Sequence, residues 1–207
     1  MAHHTHDDRE PPEAGHVHEW VDESVDARDD WARRRRKDIP NDKRLFVLAC
    51  MDERIPVEEV LGLELGDAHV FRNAGGKVTA DVVRSAALTL QFFDTEEIIV
   101  VNHTDCGMMS ASDEDVVAGL EAAVSGDLSD LDLDPSLPEL DIGDATFDEW
   151  LKMTDDIDEA CERQVAYLRA HPLIPDDVTV TGYVYEVESG HLRRPGDRIG
   201  DEISERV

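Results

Sequence analysis

Residues 97–110 read EIIVVNHTDCGMMS, an apolar run that breaks on His103 and Cys106. Ile98, Ile99, Val100 and Val101 follow one another without polar alternation. That pattern suits a strand buried on both faces, as in a parallel sheet covered by helices. Ending such a strand on an imidazole and a thiol sets two metal-ligand types just beyond its carboxyl end, where open α/β sheets gather functional groups. Two ligands do not close a site, so the partner must stand at another strand end.

The flanking sequence repeats the strand theme. RLFVLAC (44–50) is a second apolar strand and ends on Cys50, and VEEVLGL (57–63) is a short helix stopping near Gly62. AHVFRN (68–73) is a further strand before the glycine turn AGG (74–76). In TADVVRSAALTLQFF (79–93), Val82, Val83, Ala86, Ala87, Leu90 and Phe93 recur at the spacing of one helix face. SDEDVVAGLEAAV (112–124) is a helix with Ser112 as its N-cap. FDEWLKMTDDIDEACERQVAYLRAH (147–171) reads as one long helix with Ile157, Cys161, Val165 and Leu168 on one side. DVTVTGYVYEVESGHL (177–192) closes the chain core as a strand with a hairpin-like end. The alternation predicts an α/β fold, a mostly parallel central sheet flanked by helices.

Outside this core, residues 1–16 read as a disordered acidic, histidine-containing tail. A single domain is expected over 17–207, with residues 17–37 helical and 125–147 an acidic irregular insertion carrying Pro135 and Pro138. The basic block Arg33–Lys37 reads as a helix C-terminus rather than a nucleic-acid patch.

Composition narrows the function. The 49 acidic and 20 basic residues give a net charge of −29, which repels nucleic acid and anionic membranes. Because 41% of residues are hydrophobic and gathered in runs, the chain reads as folded with a solvated acidic shell. A salt-rich cytoplasm, where ions screen self-repulsion, is the expected setting. No run of eighteen apolar residues spans a membrane and no secretory signal is evident, so a cytoplasmic location is expected. Three cysteines are too few for a disulfide framework.

If the strands ending at Cys50 and His103 are neighbours, Cys50, His103 and Cys106 form a Cys₂His set suited to zinc. The fourth position is then open to water, or closed by protein in a structural site; buried thiols without metal are the third possibility. After Cys50 comes Met51-Asp52-Glu53-Arg54. In extended backbone Cys50, Asp52 and Arg54 share one side, while Met51 and Glu53 point away. Asp52 would ligate the metal or accept a hydrogen bond from its water, with Arg54 holding the carboxylate by a charged fork; a surface ion pair is the plainer alternative. The Cys-x₅-Arg loop of cysteine phosphatases is excluded, because only three residues separate Cys50 from Arg54.

CMDER (50–54), GDAHVFRNAGG (66–76) and HTDCGM (103–108), in this order, resemble the three signature blocks of the β-class carbonic anhydrases. RAHPLIPDDVTVTGYVYEVESGHL (169–192) is similar to that family's C-terminal strand region, so the likeness covers residues 44–124 and 147–192, nearest the shorter prokaryotic and archaeal branch. The resemblance implies a zinc enzyme that interconverts carbon dioxide and bicarbonate through hydroxide on the metal. It implies one Zn²⁺ per chain on Cys50, His103 and Cys106, and a catalytic dyad of Asp52 and Arg54. Gly75 and Gly107 would line the pocket with backbone, Gly107 in a tight turn after the last ligand. Arg72, Asn73 and Ala74 would be structural, and His69 packed at a strand start. A homodimer or higher homo-oligomer is implied, the N-terminal helices packing on the partner subunit. The same ligands would also serve hydrolysis of carbon disulfide or carbonyl sulfide, or a non-catalytic closed zinc site.

Overall fold

The computed structural model describes residues 40–109, 112–124 and 155–197, all within one unit, Asp38–Val207. The expected tail, N-terminal helices and acidic insertion fall outside the described residues.

Among the described residues, five strands and four α-helices follow in the order β1 (Leu45–Cys50), α1 (Val57–Val60), β2 (Ala68–Asn73), α2 (Ala80–Phe92), β3 (Glu97–His103), α3 (Asp113–Val124), α4 (Ile157–Ala170), β4 (Thr179–Glu186) and β5 (His191–Arg193). They form one sheet in the order β2-β1-β3-β4-β5. The first four strands are parallel and β5 runs antiparallel to β4, so the mostly parallel sheet and its hairpin end are both present. β1 and β3 lie inside the sheet and are mostly buried, with continuous apolar runs over Leu45–Cys50 and Ile98–Val101, as strands covered on both faces must have.

Strand alternation divides the core into two layers. Phe46, Leu48, Ile98 and Val100 meet Val82, Val83 and Ala86 of α2 and Ile157, Cys161, Val165 and Leu168 of α4 on one face. Leu45, Val47, Ala49 and Val101 meet Ile55, Val57 and Tyr185 on the other, in the cluster that includes Cys50 and Cys106.

Two local expectations need correction. The helix expected over 147–171 does not run through Asp156, whose backbone is extended and whose side-chain Oδ1 accepts N–H bonds from Asp158 and Glu159 at 2.9 and 3.0 Å. A carboxylate that satisfies two free N–H groups starts a helix instead of continuing one, so α4 begins at Ile157. Phe93 does not extend the apolar face of α2. It caps that helix and its ring lies 5.6 Å from His69. Ser112 caps α3 as expected, its hydroxyl accepting from the N–H of Asp115.

The turn after β2 backs onto the sheet. Gly76 has φ +57, and a Cβ there would stand 2.8 Å from Cys50 N, 3.0 Å from Ala49 C and 3.1 Å from Val101 O. Those atoms belong to two central strands and cannot swing aside as a side chain could. Gly76→Ala should therefore lose about 3 kcal/mol or more, combining left-handed strain with overpacking. A urea midpoint equal to wild type would refute the close approach.

Candidate metal centre

The parallel register pairs Leu45 with Glu97 and Ala49 with Val101, so β1 and β3 run abreast and end together. Cys50 and His103 are the last residues of those strands. Cys106 is returned to them by a turn in which Asp105 takes a left-handed φ of 49°, and Met109 N–H then bonds Cys106 O at 2.9 Å. The Cys50, His103 and Cys106 ligand atoms all lie within 4.8 Å of one another, and all three residues are buried.

This donor set fits a metal ion. The two Sγ atoms are 4.0 Å apart, close to the ~3.8 Å that two thiolates span across a tetrahedral zinc with ~2.3 Å bonds. His103 is fully buried, yet neither Nδ1 nor Nε2 has a hydrogen-bond partner. Buried polar atoms are rarely left so, and a ring nitrogen that ligates a cation would be satisfied. The thiols are an acidic pair: the hydrogen bond from Cys106 holds Cys50 well below the usual thiol range, assisted by His103. The same bond, together with burial, pushes Cys106 up. A divalent cation bound between them would take both sulfurs as thiolates and neutralise their charge.

Asp52 and Arg54 sit beside the cluster. Asp52 Oδ2 lies 3.9 Å from His103 Nε2. Arg54 donates from Nε to Asp52 Oδ1 at 2.9 Å and from Nη2 to Oδ2 at 2.8 Å, and its backbone N–H donates to Oδ1 at 2.9 Å. This bidentate fork holds the Asp52 carboxyl down at about 2. The extended backbone expected here is replaced by a turn, closed by Ile55 N–H on Asp52 O at 3.2 Å, which folds Arg54 back onto Asp52; Met51 and Glu53 are exposed, but so is Arg54.

Several groups went unread in the sequence. Arg72, expected to be structural, donates from Nε to Cys50 O at 2.9 Å and from Nη2 to Asp52 O at 2.6 Å, clamping the loop that carries ligand and dyad. Asp105 bonds Arg54 as well. Asn102 is fully buried; it donates to Gly75 O at 2.8 Å and accepts from Gln164 Nε2 at 3.0 Å. Its signal was available, as the single polar residue interrupting the apolar run before His103. His69 is packed in β2, and burial pushes its imidazole pKa down.

The two glycines differ. Gly75 has φ +75, and a Cβ there would lie 2.9 Å from Met108 Cγ, so this position requires glycine. Gly107 stands in the tight turn expected of it, in the single 3₁₀ turn Gly107–Met109 closed by Met109 N–H on Cys106 O, but its φ is not left-handed and a Cβ there would meet nothing. The left-handed residue just before that turn is Asp105, whose short side chain tolerates the conformation better than most.

The carbonic anhydrase family model matches residues 45–192. A carbon disulfide hydrolase of Acidithiobacillus thiooxidans is 55% identical over 176 residues, covering 84% of this chain and 88% of that one. β-Carbonic anhydrase 1 of Mycobacterium tuberculosis is 31% identical over 154 residues, covering 74% and 83%. Among solved structures, the apo form of a carbon disulfide hydrolase superposes with a TM-score of 0.72 at 45% identity, over 91% of this chain and 96% of that one. With the three motif blocks converging on one buried centre at the ends of β1 and β3, this chain belongs to the β-class carbonic anhydrase family.

Proposed function

We propose that this chain is a zinc enzyme that adds water to a small linear CX₂ molecule, with carbon disulfide as substrate: CS₂ + 2 H₂O → CO₂ + 2 H₂S. The observation that carries the reaction class is the buried Cys50–His103–Cys106 set with an ionised Asp52 fixed beside it. The choice of carbon disulfide is supported by the 55% identity to a hydrolase of that name. Hydration of carbon dioxide to bicarbonate and a proton, the expectation from the sequence, is the second reading. It is favoured by the family match and by the β-carbonic anhydrase relative.

Cys50, His103 and Cys106 would hold the zinc. When bound, zinc supplies the Lewis acidity that makes water nucleophilic near neutral pH, less strongly than in a three-histidine site because two thiolates offset its charge. Asp52, ionised throughout the working range, accepts a hydrogen bond from the attacking water and orients it. Arg54 keeps that carboxylate in place, and Arg72 fixes the backbone from Cys50 to Asp52. The apolar cluster of Ile55, Val57, Val101 and Tyr185 behind the thiols keeps bulk water out. Turnover should be weak at neutral pH and rise on the alkaline side. A pH–rate profile already flat below neutrality would contradict this charge balance.

Zinc-loaded protein in molar salt should be assayed in parallel for sulfide release from carbon disulfide and for carbon dioxide hydration by stopped flow. Sulfide release is the expected result. Hydration alone would establish the second reading, and turnover of neither would leave a closed or structural zinc site. The salt matters because the charge of −29 is self-repulsive and screened only by ions. The melting temperature should accordingly rise between about 0.1 M and molar salt; equal values would argue against a salt-adapted chain. The proposal includes a homodimer or larger assembly of this chain, to be checked by light scattering.

A further inference from the structure

Arg54 is gripped from two edges. Its Nε and Nη2 edge faces Asp52, while Nη1 donates to Asp105 Oδ2 at 2.7 Å and Nη2 to Asp105 O at 2.8 Å. Asp105 lies between the ligands His103 and Cys106, so the guanidinium ties the loop after β1 to the turn after β3. The Arg54 side chain is 37% exposed, and a half-exposed ion pair with a single carboxylate fixes a long side chain poorly. A second carboxylate with a backbone acceptor leaves the fork a single orientation. Asp105 also holds a left-handed φ of 49°, a conformation that is unfavourable for a residue with a Cβ.

We propose that Asp105 is a positioning residue for this reaction: by bridging Arg54 to the turn between two ligands, it keeps the Asp52 carboxylate oriented beside the metal and not on it. Asp52 Oδ2 already lies 3.9 Å from His103 Nε2, so a carboxylate released by Arg54 needs little movement to join the ligand set. The inference rests on the zinc reading above, and on no particular substrate.

The test uses Asp105→Gly, which removes the side chain while suiting the left-handed backbone, and Asp105→Asn, which retains an acceptor oxygen. Asp105→Ser repeats the deletion should the glycine variant fail to fold. Each is loaded with zinc for kinetics and with cobalt(II) for visible spectra. Asp105→Gly should keep its full metal content, lose about tenfold in kcat with little change in KM, and show altered cobalt ligand-field bands. Combination with Asp52→Asn should abolish that spectral change, because the amide replaces the carboxylate that would ligate. Asp105→Asn should restore most of the wild-type spectrum and rate. Added to Arg54→Ala, Asp105→Gly should cost nothing further, since the two act as one unit. An unchanged cobalt spectrum in Asp105→Gly, or losses that add to those of Arg54→Ala, would overturn the assignment. If wild-type protein turns over neither substrate, the proposed reaction fails while the cobalt spectra still decide the role of Asp105.

Discussion

Cys106→Ser should purify with little or no zinc, its affinity reduced by more than about 100-fold, since even outer partners of zinc ligands contribute 10–100-fold. The Cys106 thiol is buried, and its Sγ lies 4.0 Å from that of Cys50. A serine hydroxyl is too weak an acid to supply the anionic donor that a soft thiolate provides. Metal analysis of purified protein, one zinc per wild-type chain against a small fraction in the variant, reads this directly. Full retention would remove Cys106 from the ligand set. Turnover should vanish in step with the metal.

Asp52→Asn separates chemistry from metal binding. The variant should hold zinc normally yet lose about 100-fold or more in kcat, the scale of a positioned proton acceptor. An amide is a weaker acceptor than a carboxylate, and its NH₂ group faces donors on Arg54 that formerly met an oxygen. Unchanged turnover would reduce the Asp52–Arg54 pair to a structural tie.

The stability consequence of the same substitution has a defined sign. Arg54 lowers the Asp52 carboxyl from 3.8 to about 2 in the folded protein. A depressed carboxyl stabilises the fold fully above its unfolded value and loses that contribution as pH falls toward the folded one. The gap in unfolding free energy between wild type and Asp52→Asn should therefore be constant from neutrality to about pH 5 and shrink below about pH 4. A gap that stays constant under acid conditions would show that the carboxylate charge is not what Arg54 stabilises.

The limits of sequence reading appear in particular residues. Cys161 and Leu168 were placed on the buried face of α4 by their spacing alone, and both are fully buried. The start of that helix was missed because periodicity carries across Asp156, while the cap depends on which N–H groups its carboxylate meets. Gly107 and Asp105 show the same divide. The glycine after the last ligand opens a tight turn as its position suggests, while the left-handed conformation just before it falls on Asp105.

The sequence by itself determined the α/β alternation, the two apolar strands that end on Cys50 and His103, and the pairing of Asp52 with Arg54. The first two rest on periodicity, 2 along strands and 3.6 along helices; the pair is legible from its close spacing, although a turn over residues 52–55, not strand alternation, brings Arg54 onto Asp52. Tertiary structure alone decided that β1 and β3 are neighbours in a register that ends both together. It also decided that Arg72 clamps the ligand loop from β2, that Gly76 must lack a Cβ against two strands, and that Asp105 reaches Arg54. Those contacts join residues 20 or more positions apart, brought together only when burying both faces of the sheet fixes which strands pair and in what register.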